Sequence, residues 1–294
     1  MVNWTADTTL FSEALSLEKT TAVLCGLYFY EFVLALPYDW EIVRSRMPYA
    51  QTLRSLAGYI LYTLSRYLTF VYCVCSCLLL NNYRSFDCEA LVKIITFCGT
   101  MGPTCASSSL FLRAGAIWKW NRFIVACLLL PLTASYICSI RTVILVTATD
   151  TVLDMEQCAS TNISEAKATA ITTTLTDVTL LTFFLLGLRK GRKEARGFPL
   201  WHMLWDQGLI YLCLAIAIGV PSAVFLVLDL NEVINTIFIT PPILMPAIAA
   251  TRFQRALTKR SNSTISVWNV PVVRPRAPES YELQDSKAEI NMSG

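Results

Sequence analysis

Charge is scarce in this chain. Of its 294 residues only 15% are Asp, Glu, Lys or Arg, while 54% are hydrophobic; an ordinary soluble domain carries about 25% charged residues. That composition excludes a soluble globular protein and points to a membrane protein. Histidine is nearly missing. His202 stands alone, which removes multi-histidine zinc and haem sites and metal-dependent hydrolysis in the membrane. There is no Gly-rich phosphate loop and no nucleophile–His–acid set. The expectation is therefore a protein that is not an enzyme, with no cofactor, no metal and no nucleic-acid partner. The N-terminus, MVNWTADTTLFSEALSLEKT, has no basic stretch followed by an apolar core. It does not read as a cleavable signal peptide, so the first span is expected to act as its own signal-anchor.

What the chain does have is long apolar runs, at about residues 20–37, 57–80, 90–112, 123–147, 168–188, 208–228 and 234–251. Runs of about 20 residues cross a bilayer as helices, because lipid offers the backbone no hydrogen bonds and each segment must satisfy its own. The predicted fold class is all-α: a polytopic bundle of seven transmembrane helices. Charge in the connections sets the orientation. Basic residues follow the first, third, fifth and seventh runs, among them Arg44, Arg113, Lys119, Arg122, Arg189, Lys190, Arg252 and Arg255. The opposite ends carry acids such as Asp7, Glu18, Asp87, Glu89, Asp154 and Asp229. An excess of Lys and Arg marks the cytoplasmic side. Residues 1–19 are then expected outside, 20–252 form the membrane domain, and 253–294 form a polar, disordered cytoplasmic tail. The segment RFQRALTKR, just after the last run, is basic enough to meet anionic headgroups on the inner leaflet. Prolines within the runs are read as kinks, with a hinge or a broken helix as the alternative for the cluster TPPILMP in the last run.

Nine of the eleven cysteines lie inside apolar runs, where a thiol behaves as a small hydrophobe. Only Cys88 and Cys158 lie in outer connections, in an oxidising compartment that allows a disulfide between them. Sequons at Asn3 and Asn162 fall on the outer side and are candidate glycan sites, unlike those at Asn262 and Asn291.

Five ionisable residues stand within or at the edges of the runs: Glu31, Arg66, Lys93, Arg141 and Asp177. An embedded charge needs a partner. Adjacent-helix pairing suggests Glu31 with Arg66 and Arg141 with Asp177, while Lys93 is close enough to the surface to snorkel. These pairs either fix helix packing or form a polar centre for a ligand, a proton or a switch. The serines of ASSSL at 106–110 read as helix-packing residues.

The stretch YEFVLALPYDWEIVRSR followed by LSRYL resembles the N-terminal motif of a fungal family, abundant in basidiomycetes, that carries domain of unknown function 6533. The matching positions are Tyr30, Glu31, Leu34, Glu41, Arg44, Arg66 and Tyr67, within about residues 20–72. Glu31 stands where that family more often has Asp. FLRAGAIWKWNR, LTDVTLLTF and LWDQGLIYL extend the resemblance over most of residues 20–260. It implies a seven-helix membrane protein and supplies no activity. Topology and the two outer cysteines are also similar to G-protein-coupled receptors. However, the third run lacks an acid-Arg-aromatic triplet, the seventh lacks Asn-Pro-x-x-Tyr, and no lysine in the seventh could anchor retinal.

The leading expectation is a multi-pass protein of the plasma or secretory-pathway membrane, with receptor-like topology. It would sense a small molecule or peptide on its outer side and meet a signalling partner at its basic inner loops. The alternatives are a transporter or channel that uses the embedded charges, and a non-catalytic scaffold among membrane lipids.

Overall fold

The computed structural model describes residues 7–46, 53–80, 87–149, 159–161, 163–191, 217–225, 228, 238–252 and 255. Its helices are α1 (Asp7–Arg46), α2 (Leu53–Leu80), α3 (Cys88–Ile117), α4 (Arg122–Leu145) and α5 (Ile163–Gly191), then α6 (residues 217–225) and α7 (residues 238–252). Segments within α1, α2, α4 and α5 are long and apolar enough to cross a membrane: Leu15–Trp40, Leu56–Leu80, Arg122–Leu145 and Lys167–Lys190. The architecture is a helical bundle of membrane composition. Apart from Arg255, the expected tail at 253–294 lies outside the described residues.

Regular spacing explains the packing. On α1 the residues turned inward are Thr21, Cys25, Tyr28, Phe32 and Ala35, a four-three alternation that keeps one stripe of a helix facing its neighbour. The other side exposes Val23, Tyr30, Val33 and Trp40, as a lipid-facing surface would. α4 repeats the alternation with Leu128, Leu132, Ser135, Ser139 and Thr142. Cys25, Tyr28 and Phe32 join Tyr72 and Cys73 of α2, Cys98 of α3, and Leu244, Ala247 and Ile248 of α7 in the apolar core.

α3 is the central helix, touching α2, α4 and α5. It spans the expected run at 90–112 and buries small and polar residues along its length, including Gly99, Gly102, Thr104, Ser107, Ser108 and Ser109. A helix surrounded by protein does not need a lipid-soluble surface, and small residues let backbones approach. At Gly102 a Cβ would lie 2.9 Å from Thr69 Oγ1, so the α2–α3 interface depends on its absence.

The described architecture is helical, as the sequence suggests, with one short antiparallel hairpin beside the helices, β1 (Thr147–Thr149) with β2 (Ala159–Thr161), paired Thr147↔Thr161 through Thr149↔Ala159. Its β-branched threonines suit strand geometry, and β1 packs against α3. The prolines of TPPILMP do not break α7: the helix runs unbroken from 238 to 252. Pro242 lacks the amide that would bond the Phe238 carbonyl, and that carbonyl instead accepts from Ser222 Oγ at 2.6 Å.

α3 and α4 are joined by a tight turn. Trp118 caps α3 by donating its amide to the Ala114 carbonyl, and the Trp120 amide reaches back to the Gly115 carbonyl at 2.8 Å, a Schellman-type closure. Lys119 and Trp120 take left-handed φ values of 50° and 57°, a conformation costing a non-glycine residue roughly 1–2 kcal/mol. The Asn121 side chain then caps α4 by accepting from the Phe123 amide at 3.1 Å.

Candidate functional site

The inward stripe of α1 continues one step beyond the apolar core, to Asp39. The sequence suggests a loop after Pro37, yet α1 runs through this proline to Arg46. Pro37 removes the amide that would bond the Val33 carbonyl. The turn it loosens is the one whose Phe32 carbonyl accepts from Arg66 Nη2 at 2.5 Å.

Arg66 is only 1% exposed, and everything around it is arranged for a guanidinium. Nη1 forms an ion pair with Asp39 Oδ2 and reaches Tyr62 Oη at 3.3 Å. Tyr62 in turn donates to Asp39 Oδ1 at 3.1 Å. The guanidinium carbon lies 4.5 Å over the Phe32 ring, a cation–π contact. Tyr28 fastens the backbone beneath by donating to the Arg66 carbonyl at 2.6 Å. The expected Glu31–Arg66 pair is thus replaced. The stripe at 28, 32, 35 and 39 faces α2, whereas Glu31 lies on the adjoining side of α1.

Glu31, 5% exposed, pairs instead with α7 and the residues that follow it. Arg252 Nη2 binds Oε1, and Arg255 Nη2 binds Oε2 at 2.8 Å. RFQRALTKR was expected to meet headgroups, but here its first and fourth residues close onto α1. The Arg255 Nε is buried without a hydrogen-bond partner. Three helices therefore meet at one end of the bundle around two acids and three arginines.

The second polar centre lies between α3, α4 and α5. Asp177 is half-buried and accepts a hydrogen bond from Ser107, which corrects the expected pairing with Arg141. α4 turns Ser135, Ser139 and Thr142 inward, leaving Arg141 on an exposed position. The hydroxyls form a ladder: Ser108 with Tyr136 at 2.8 Å, Ser135 with Thr176 at 2.7 Å, and Thr142 with Thr169 at 2.6 Å. The serines of ASSSL therefore do more than pack. Ser139 Oγ, fully buried, has no partner.

Lys93 is exposed and binds Glu89 one turn earlier, at the start of α3. Cys88 is disulfide-bonded, while Cys25, Cys73, Cys75, Cys77, Cys98, Cys105, Cys127 and Cys138 are free thiols. Its expected partner Cys158, and both sequons Asn3 and Asn162, lie outside the described residues. No group of His, Cys, Asp and Glu suited to a metal occurs among the described residues. Asp39, Tyr62, Arg252 and Arg255 were not identified as site residues from sequence. The four-three spacing on α1 was the available signal for Asp39. Compared with protein-family models and with curated proteins, the chain finds no match.

Proposed function

We propose that this chain is a seven-helix integral membrane receptor, with its N-terminus outside and its C-terminus in the cytoplasm. It senses a small molecule or peptide at the outer face and signals to a cytoplasmic partner at the basic inner ends. The observation that carries this reading is the closure of Arg252 and Arg255 onto Glu31. It ties the last helix to the first through contacts between side chains alone, so a small movement of α7 releases it without unfolding either helix. Switching transitions are built from such bistable contacts between packed helices. Arg252 is 63% exposed, so a partner can compete for it.

Several other features belong to the same reading: a Cys88–Cys158 bridge over the outer face, glycans at Asn3 and Asn162, and the resemblance to the fungal family with domain of unknown function 6533. Transport is the second reading. It is favoured by Asp177, whose described hydrogen bond is to a neutral hydroxyl, leaving a carboxylate to be neutralised by something that passes through.

The deciding experiment is proximity labelling from the C-terminus of the full chain in membranes, comparing wild type with Glu31→Gln. A receptor should label a defined set of cytoplasmic signalling proteins, and that set should change when the latch is opened. Identical labelling in both proteins would sink the proposal. A glycan found on Asn262 would overturn the orientation by itself.

A further inference from the structure

The end of the bundle where α3 and α5 finish carries a second concentration of positive charge, separate from the Glu31 latch. Lys119, Arg122, Arg189 and Lys190 are all exposed there. The fold draws them together. Trp118 Nε1 donates to the Phe183 carbonyl of α5 at 3.0 Å, and Lys190 Nζ lies 5.3 Å from the centre of the Trp118 ring. Gly187 permits this approach, since a Cβ there would lie 2.7 Å from Ile117 Cγ2 and 2.8 Å from Trp118 Nε1. Trp120 packs edge-to-face on Phe111, with ring centroids 6.4 Å apart. The two indoles are thus anchored by the protein and leave the four cations displayed around them.

Two features show that this display is not incidental. Lys119 adopts a left-handed φ of 50° in the turn where Gly or Asn would sit without strain. Its side chain is exposed, so no packing inside the protein requires a lysine at that position. Among the described residues, moreover, no acid pairs with Lys119, Arg122 or Arg189, in contrast to Arg66, Arg252 and Arg255, which all have carboxylate partners. Positive charge held at the edge of a membrane helix bundle, beside tryptophans of the kind that settle at headgroup depth, is complementary to a negatively charged headgroup.

We infer that the α3–α4 turn and the end of α5 form a binding site for a phospholipid headgroup bearing more than one negative charge. The phosphates engage Lys119, Arg122, Arg189 and Lys190, while the acyl chains lie along the exposed apolar side of α4, where Phe123 and Leu130 are 77% and 72% exposed. The site adds a lipid requirement to the proposed receptor and rests on that reading only for the leaflet it faces.

The test is native mass spectrometry of the full chain in detergent, titrated with phosphatidylinositol 4,5-bisphosphate, phosphatidylserine, phosphatidylcholine or an acidic peptide. Each Lys or Arg near an anionic lipid contributes about fivefold in affinity. Replacing all four residues by Gln should therefore weaken bisphosphate binding by about 600-fold. Exchanging Lys for Arg and Arg for Lys at the same four positions keeps the charge and should preserve binding within about threefold. It also separates a lost site from a lost fold, which size-exclusion chromatography checks for both variants. Equal binding of bisphosphate and phosphatidylcholine by the wild type would overturn the inference. So would unchanged bisphosphate binding by the quadruple Gln variant, or capture of an acidic peptide in preference to any lipid. Detergent offers no inner or outer leaflet, so failure here is distinguishable from an error in orientation, which glycan mapping reads.

Discussion

The α1–α2–α7 end and the α4–α5 seam solve the same problem in opposite ways. Both place polar groups where water is scarce. Around Arg66 the solution is concentrated: one ion pair, the Tyr62 hydroxyl, a backbone carbonyl and an aromatic face converge on a single buried guanidinium, while Tyr28 holds the Arg66 backbone. Between α4 and α5 it is dispersed, with many hydroxyls each bonded to a carbonyl of its own helix and some reaching across. Thr176, for example, donates to the Thr172 carbonyl at 2.7 Å while lying 2.7 Å from Ser135 Oγ. A dispersed seam tolerates the loss of any one member. A concentrated one does not, because a single loss strands a charge.

The sharpest way to break the comparison is to remove one side of the Arg66 pair. Asp39→Asn and Arg66→Gln should each destabilise by about 3–5 kcal/mol, since an unpaired buried charge remains, and the double variant should recover part of that. Thermal unfolding of the purified protein in detergent measures all three. Strictly additive losses would show that Asp39 is not the partner.

Opening the second charged contact should cost less. Glu31→Gln removes two charge-assisted bonds, each worth about 1.5–3 kcal/mol when well buried. Solvent screening reduces the share of Arg252, which is 63% exposed against 23% for Arg255. Arg255→Gln is therefore expected to lower the melting temperature more than Arg252→Gln, and raising salt should narrow the effect of the latter.

The hydroxyl seam should respond weakly. Ser135→Ala is expected to cost about 0.6 kcal/mol, the average for an interhelical hydrogen bond in a membrane protein. A loss as large as that at Arg66 would erase the contrast between the two regions. Smallest of all is Ser139→Ala. Its hydroxyl is buried without a partner, so removing it should leave the melting temperature unchanged or raise it slightly.

The comparison also explains what was legible beforehand. Apolar runs gave the positions of α1 to α5 to within a few residues at most ends, because hydropathy and helix length are local properties. The C-terminal extension of α1 was hidden by Pro37 and the polar residues after it, which imitate a loop. With that turn hidden, Asp39 was out of view and Glu31 appeared to be the available acid for Arg66. The bond from Glu31 to Arg252 joins residues 221 positions apart, and no local pattern announces such a pair. Ser107 was read for its size rather than its hydrogen, although its spacing from Asp177 across two helices is a tertiary fact that no single segment contains.

At 40 residues α1 is about 60 Å long, roughly twice the hydrocarbon thickness of about 30 Å. Its charged fastenings, Glu31 and Asp39, both lie in the half nearer Arg46. A rod clamped near one end and left long at the other is a lever. A tilt of about 10° around Glu31, roughly 36 Å from the start of the helix at 1.5 Å per residue, carries that start through some 6 Å while the clamped end moves by less. Whatever takes hold of the far end of α1 works with mechanical advantage against the clamp.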